Sequence, residues 1–199
     1  MAVTTDGELG AHEPLTESVR ALIDRVIRTK VDTATQEAAR AHVAAALGLL
    51  GERLMPDSFG MHAIANRGPT TGGNVVIGER NAIAPPLIVE RDGTGQVSAD
   101  VDLGAAYEGP VGHVHGGVCS LLLDHVLGAT AHRPGRPAYT GTLQLRYLRP
   151  TLLGRLRVEA WVEHEQGRKT YARGRILRDG NVTVDAQGIF IRPRDIDAG

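Results

Sequence analysis

The sequence contains few of the residues that build disulfide, metal-cluster or membrane architectures. Cys119 is the only cysteine in 199 residues, which excludes an intramolecular disulfide and a metal site with several cysteine ligands. No apolar run approaches the roughly 18 residues of a transmembrane helix, so no membrane association is expected. The first residues are polar and do not form a signal peptide, which predicts a cytoplasmic protein. Aromatic residues make up only 4% of the chain, yet the hydrophobic share of 42% suits a globular core.

Charge is balanced overall but divided unevenly along the chain. The formal net charge is −1, whereas the residues from 133 onward carry 13 lysines and arginines against 7 aspartates and glutamates. Proteins that bind long nucleic acids usually have a strong basic excess, so no nucleic-acid partner is expected. A basic C-terminal half fits a small polyanionic ligand, with solvated surface charge as the alternative.

Two helices are predicted in the first quarter of the chain. Apolar residues recur at helical spacing over residues 14–29. Asp32 or Thr33 can cap a second, alanine-rich helix that runs to about Leu54. These helices form a predicted N-terminal helical extension over residues 1–60.

The remaining residues, 61–199, are predicted to form one domain. Residues 57–86 read as a loop with one short strand at 74–77. Beyond them, apolar and polar residues alternate with a period of two, which is typical of strands that bury one face. The last four strands have short connections and therefore favour an antiparallel sheet. The predicted strands are residues 96–103, 142–149, 156–162, 169–178 and 182–192.

One further helix is predicted between the first and second of these strands, over residues 117–131. It is apolar nearly all round, which is typical of a buried helix. The simplest architecture is therefore an α+β fold in which an antiparallel sheet wraps around one long central helix, preceded by the helical extension.

Asp124 interrupts the apolar sequence of this helix. An ionised carboxylate in apolar surroundings is strongly penalised unless it is paired or hydrogen-bonded. Aspartate is also a poor residue for a helix interior. Either the side chain is held by a structural hydrogen bond or faces a solvent-filled gap, or it has a catalytic role.

The glycine-rich segment before the helix could stabilise negative charge. Gly116 and Gly117 would let a ligand approach the backbone. The free N–H groups of a first helical turn suit a carbonyl oxygen that becomes an oxyanion. Gly116 and Asp124 are eight residues apart, which is roughly 12 Å along a helix and too far for one small reacting group. A catalytic role therefore predicts a two-fold dimer in which the Gly116 end of one chain meets Asp124 of the other.

Four motifs carry a family resemblance. They are Asn81-Ala-Ile-Ala-Pro-Pro86, Tyr107-Glu-Gly-Pro-Val-Gly-His-Val-His-Gly-Gly117, Asp124 and Thr140-Gly-Thr-Leu-Gln-Leu-Arg-Tyr-Leu-Arg-Pro150. In this order they resemble the hot-dog-fold acyl-CoA thioesterases, particularly the phenylacetate-pathway and thioesterase-superfamily-member type. The resemblance covers roughly residues 81–193 and implies five or six antiparallel strands around a long helix. It also implies homodimers with a continuous sheet, and often tetramers.

The resemblance implies a role for each matching residue. The backbone N–H of Gly116 or Gly117 would polarise the thioester carbonyl, and His115 would orient that loop. Asp124 would attack the thioester or activate a water, and Thr140 would hold the water or the carboxylate. The substrate would be an acyl-CoA or a related acyl thioester, with coenzyme A as part of the substrate and no separate cofactor. The candidates to meet the phosphates of coenzyme A are Arg149, Lys169 and Arg173, because guanidinium and ammonium groups suit phosphate oxygens.

Other functions stay open at the level of sequence. Some hot-dog proteins bind acyl-CoA without hydrolysing it and use a helical N-terminal DNA-binding unit. Residues 12–54 carry equal numbers of acidic and basic residues, so they are poor candidates for phosphate-backbone binding. A dehydratase or hydratase of the same fold is a third alternative. A metal site at His113, His115, Asp124 and His125 is not expected, because their spacing is not that of a known metal motif.

Overall fold

In the computed structural model the chain divides into two compact units, Met1–Ile83 and Ala84–Gly199. The division into an extension over residues 1–60 and a domain over residues 61–199 stays a prediction. No helix among the described residues is both long and apolar enough to cross a membrane. The structure describes residues 3–4, 13–56, 62–64, 68–70, 72–85, 87–133 and 136–194.

The first unit contains the two predicted helices. Helix α1 spans Glu13–Arg28 and helix α2 spans Thr33–Gly51. Asp32 caps α2, because its Oδ1 accepts a hydrogen bond of 2.8 Å from the backbone N–H of Thr35. The hydrogen bonds from Thr35 also lower the pKa of Asp32. A small sheet joins strands β1 (Val3–Thr4), β2 (His62–Ile64) and β3 (Gly68–Thr70) in that order.

The strand predicted at residues 74–77 is wrong, because these residues form a turn. The side-chain Oδ1 of Asn74 accepts hydrogen bonds from the backbone N–H groups of Val76 and Ile77, at 2.8 and 3.1 Å. The N–H of Gly78 donates to the carbonyl of Asn74 at 2.9 Å. An asparagine that binds the N–H groups following it stabilises a turn in place of a strand.

A six-stranded antiparallel sheet forms the second unit. Its strands are β4 (Ile88–Arg91), β5 (Val97–Leu103), β6 (Tyr139–Tyr147), β7 (Gly154–Gln166), β8 (Lys169–Arg178) and β9 (Asn181–Ile191). Their order in the sheet is β4-β5-β7-β8-β9-β6, and each neighbouring pair is antiparallel. The turn between β8 and β9 uses Asp179 and Gly180 at φ of 50° and 77°, as an Asp-Gly sequence favours.

Helix α3, Gly116–Ala131, packs against the inner face of this sheet and confirms the predicted central helix. A side chain on Gly174 of β8 would place its Cβ 3.3 Å from Leu127 of the helix and 2.9 Å from the carbonyl of Glu159. The absence of that Cβ lets the helix approach the sheet closely. The α+β hot-dog architecture predicted from the sequence is therefore confirmed. The buried residues of α3 are Cys119, Leu122, Leu123, Val126, Leu127, Thr130 and Ala131.

The two edges of the sheet differ in length and exposure. The edge strand β4 has 4 residues, whereas β6 at the opposite edge has 9. Most of β6 is exposed, and only Leu143 and Leu145 are half-buried. The strand ends at Tyr147 because the N–H groups of Leu148 and Arg149 both donate to the carbonyl of Thr183. A long exposed edge strand is a ready surface for pairing with another chain.

Candidate active site

Two clefts lie along helix α3. The first, which we call the glycine cleft, has a volume of about 510 Å³ and is lined by Gly116, Cys119, Tyr147, Arg149 and their neighbours. The second, the carboxylate cleft, has a volume of about 480 Å³. Its lining residues are Arg91, Asp124, His125, Gly128, Ala129, His132, Ala138, Thr140 and Phe190.

Asp124 and Thr140 meet in the carboxylate cleft. The Thr140 hydroxyl, on edge strand β6, donates a hydrogen bond of 2.8 Å to Oδ1 of Asp124. Among the described residues no other group donates to this carboxylate. Asp124 is half-buried, so the side of the predicted buried helix that carries it is not fully covered. One carboxylate oxygen is thus held in place, in a side chain that lines the cleft.

His125 lines the same cleft next to Asp124. Burial lowers the pKa of His125, because the protonated imidazole is less stable away from water, and the negative charge of Asp124 opposes this effect only in part. A histidine with a pKa below its ordinary value of about 6.5 is neutral at pH 7. His125 therefore does not neutralise Asp124 under those conditions.

The N-terminus of α3 forms the glycine cleft. His115 is the N-cap, and its Nδ1 accepts a hydrogen bond of 3.0 Å from the N–H of Gly117. The carbonyl of His115 accepts from Val118 and Cys119. The N–H of Gly116 donates to no group among the described residues. Of the two N–H groups that the sequence offers as oxyanion donors, Gly116 is therefore the available one.

Two hydroxyl groups, which sequence analysis missed, fix this turn of the helix. Tyr147 Oη donates to the carbonyl of Gly116 at 2.8 Å, and Ser120 Oγ donates to the same oxygen at 3.1 Å. A Cβ on residue 116 would lie 3.3 Å from Tyr147 Oη. Glycine at this position therefore allows the tyrosine to approach. Ser120 lies one helical turn after Gly116 and could have been found by spacing, but the contact of Tyr147 depends on the tertiary fold.

Cys119 packs in the protein core. Its side chain is buried on the sheet side of α3. Burial raises the pKa of the Cys119 thiol, and a hydrogen bond with Thr151 opposes the shift. The thiol is therefore protonated at neutral pH and packs as a small apolar side chain.

The three predicted phosphate-binding residues lie in different places. Arg149 is exposed and lines the glycine cleft. Lys169 is exposed at the first residue of β8, beside the turn from β7. Arg173 lies on the outer face of the sheet, 3.7 Å from Glu163 and 3.6 Å from Asp185. Of the three, the structure brings only Arg149 close to Gly116.

Within one chain the predicted catalytic residues form two groups. Gly116, Gly117 and His115 lie at the start of α3, while Asp124 and Thr140 lie at the carboxylate cleft. No three His, Cys, Asp or Glu side chains in the described part of the chain gather in a way that could hold a metal ion.

Comparison with known proteins relates the chain to one superfamily. Residues 111–184 match the family model of the thioesterase superfamily. The crystal structure of a thioesterase superfamily protein is 35% identical to the chain, with a TM-score of 0.79 over 90% of this chain and 94% of the other. No curated protein matches the chain.

Two more distant structures share the fold. A phenylacetic acid degradation-related protein from Ralstonia eutropha is 22% identical, with a TM-score of 0.51 over 73% of this chain and 97% of that one. A protein from Bacillus halodurans, crystallised with CoA, is 18% identical, with a TM-score of 0.53 over 84% of this chain and 98% of that one.

Proposed function

Because the chain belongs to the thioesterase superfamily, we propose that it hydrolyses the thioester of an acyl-CoA to a free acid and CoA. The observation that carries the proposal is the Asp124 carboxylate, which Thr140 holds at 2.8 Å in an open cleft. A carboxylate with one oxygen fixed and the other open can act as a nucleophile or a general base. The Bacillus halodurans structure with CoA supports CoA as the thiol part of the substrate.

Two chemical routes are open to Asp124. In the first, its carboxylate attacks the thioester carbon and expels the CoA thiolate, and water then hydrolyses the resulting anhydride. In the second, it takes a proton from a water molecule, which attacks the thioester directly. Both routes consume one water and release the acid and the thiol, and both place negative charge on the carbonyl oxygen. The free N–H of Gly116, at the positive end of the α3 dipole, is the proposed donor to that oxygen.

The proposed site requires two chains. Gly116 and Asp124 lie on one helix, separated by roughly 12 Å at about 1.5 Å per residue. We therefore propose a homodimer in which two copies of β6 pair antiparallel and extend the sheet across both chains. This pairing covers the long exposed edge, and β6 itself carries Thr140. Each site then combines Asp124 and Thr140 of one chain with Gly116 of the other, and a tetramer of two such dimers keeps this arrangement.

The activity can be tested with a series of straight-chain acyl-CoA substrates, followed by release of free thiol. We expect kcat/KM of at least about 10⁴ M⁻¹s⁻¹ for the preferred chain length, the lower end of the usual range for enzymes. Acyl pantetheine of the same chain length serves as the control for recognition of the nucleotide part of CoA. Tight binding of acyl-CoA with no thiol release at any chain length would contradict the proposal and support a non-catalytic binding protein.

The dimer can be tested at the exposed edge. We expect Gln144→Lys in β6 to raise the dimer dissociation constant by about tenfold, because lysine on an edge strand opposes pairing between strands. The matched control is Gln187→Lys, since Gln187 is the exposed β9 neighbour of Gln144 and lies one strand inside the edge. Sedimentation velocity over a dilution series measures the dissociation constants. Equal behaviour of both variants would contradict pairing through β6.

A further inference from the structure

The carboxylate cleft contains basic groups that the proposed chemistry does not use. Arg91, on edge strand β4, and His132, which follows the last residue of α3, line it together with Asp124. Among the described lining residues, Asp124 is the single acidic side chain. Hydrolysis of an uncharged acyl chain requires no cation at this place. The basic groups therefore indicate that the substrate carries an additional anionic group.

Arg91 is held in position by backbone oxygens. One Nη donates to the carbonyl of Gly95 at 3.2 Å, and the other donates to the carbonyl of Ala129. The Ala129 carbonyl belongs to the last turn of α3, where carbonyls lack partners within the helix. Arg91 forms no ion pair with a carboxylate of the described residues. Arginine has five N–H donors, so N–H groups remain that these two bonds do not use. Because the two bonds already hold the guanidinium in position, it loses little further entropy on binding an anion.

Part of the cleft lining is apolar and consists of Gly128, Ala129, Ala138 and Phe190. Phe190 is fully buried, and a Cβ on residue 128 would come within 3.4 Å of its ring. Because residue 128 is glycine, the helix packs closely on the Phe190 ring, which lies directly behind this part of the cleft lining. A methylene chain suits such a surface, since it buries apolar area without hydrogen-bonding needs.

The spacing along the helix sets the length of chain that fits. Ala129, whose carbonyl holds Arg91, is five residues after Asp124, or roughly 7.5 Å along the axis. With C–C bonds of about 1.5 Å, an extended alkyl chain advances roughly 1.25 Å per bond, so this distance corresponds to roughly six bonds. A chain of about this length that starts at a carbonyl near Asp124 spans the axial distance to the last turn of α3, where the Ala129 carbonyl accepts from Arg91.

We propose that Arg91 binds the terminal carboxylate of a dicarboxylic acyl group, so that CoA monothioesters of dicarboxylic acids are the preferred substrates. A planar guanidinium can form two parallel hydrogen bonds to a carboxylate, and His132, which lines the same cleft, can supply a further N–H donor. This inference rests on the proposed hydrolysis of acyl-CoA. A phosphate of CoA has the same anionic chemistry, and the experiment must distinguish these two sources.

The test compares adipyl-CoA with hexanoyl-CoA, which differ by a terminal carboxylate on a chain of the same length. We expect wild-type kcat/KM to be at least about tenfold higher for adipyl-CoA, the discrimination available to one bidentate charge-assisted contact. Arg91→Gln is expected to bring the ratio of the adipyl to the hexanoyl kcat/KM close to one, through a larger loss for adipyl-CoA than for hexanoyl-CoA. Arg91→Lys keeps the charge and retains part of the preference. The control is Arg155→Gln on β7, an equal loss of charge at an exposed arginine that lines neither cleft.

The outcomes separate the inference from the function on which it rests. Hydrolysis of hexanoyl-CoA with no preference for adipyl-CoA overturns the inference alone. An equal loss for both thioesters in Arg91→Gln assigns the arginine to a CoA phosphate and also overturns it. Absence of hydrolysis for both thioesters overturns the inference together with the proposed function. Thermal unfolding of Arg91→Gln and Arg91→Lys shows whether the lost contacts to Gly95 and Ala129 affect folding, and the lysine variant tests the preference if the glutamine variant does not fold.

Discussion

Asp124→Asn is expected to lower kcat for acyl-CoA hydrolysis at least about a hundredfold, the scale of a lost acid–base group. Asparagine has the same shape and keeps an oxygen that can accept the hydrogen bond from Thr140. It carries no negative charge, so it can neither attack the thioester nor take a proton from water. Single-turnover and steady-state thiol release measure the change, and circular dichroism with thermal unfolding checks the fold.

Thr140→Val is the companion variant for this prediction. It removes the hydroxyl that holds one carboxylate oxygen and leaves the charge of Asp124 in place. We expect a smaller loss in kcat, about tenfold, with KM little changed, since a positioning contact contributes less than the reacting group. Turnover by Asp124→Asn within a few-fold of wild type would remove Asp124 from the mechanism, whatever the valine variant does.

Gly116→Pro is expected to lower kcat by about 10² to 10³, the usual effect of removing one oxyanion donor. Proline has no backbone N–H and is tolerated at the first residue of a helix, which is the place of Gly116. The preceding residue, His115, has φ of −60° and ψ of 134°, which is close to the polyproline II conformation that suits a residue before proline. The variant therefore removes the proposed donor with little change in backbone conformation.

The matched control is Gly116→Ala. Alanine adds a Cβ that would lie 3.3 Å from Tyr147 Oη, as a proline Cβ would, but it keeps the N–H. Near-normal kcat in the alanine variant and a large loss in the proline variant identify the N–H as the active group. Equal losses in both would mean that the Tyr147 contact matters and would contradict the oxyanion role.

Mixing the Asp124→Asn and Gly116→Pro chains, each inactive alone, tests whether two chains share one active site. A heterodimer of Asp124→Asn and Gly116→Pro chains combines the intact Asp124 of one chain with the intact Gly116 of the other at one of its two sites. After subunit exchange at equal amounts, activity should return to about a quarter of the wild-type value, because half of the dimers are mixed and half of their sites are intact. If both groups acted within one chain, mixing would restore nothing.

The sequence pattern predicted a helix or strand correctly where the local conformational preference of the residues and their packing in the fold favour the same element. In β5 the alternation over Val97–Leu103 predicted a strand, and the four apolar residues of that alternation are all buried. At residues 74–77 a short strand was also predicted, but Asn74 uses its side chain to bind the backbone N–H groups that follow. Helix α2 ends at Gly51, before the predicted end near residue 54. A pattern of apolar residues does not reveal which side chain will compete for a backbone group.

The candidate site was predictable as a set of residues and less so as an arrangement. The motif that contains His115 and Asp124 indicated which residues to consider. The helical spacing predicted the separation between Gly116 and Asp124. The choice between Gly116 and Gly117 depends on the ring of His115, which accepts the N–H of Gly117. Tyr147 reaches Gly116 from a strand 31 residues later in the sequence. Such contacts depend on strand order and side-chain rotamers, which the sequence pattern does not specify.

Helix α3 is a single helix of 16 residues that carries both the proposed oxyanion donor, Gly116, and the proposed reacting carboxylate, Asp124. It is about 24 Å long. A helix that tilts about its middle displaces its two ends in opposite directions. In the proposed dimer, one substitution under the helix, such as Gly174→Ala against Leu127, would misalign the oxyanion donor of one site and the carboxylate of the other together. Mutations remote from both clefts can therefore abolish turnover at the two sites at once, without touching any reacting group.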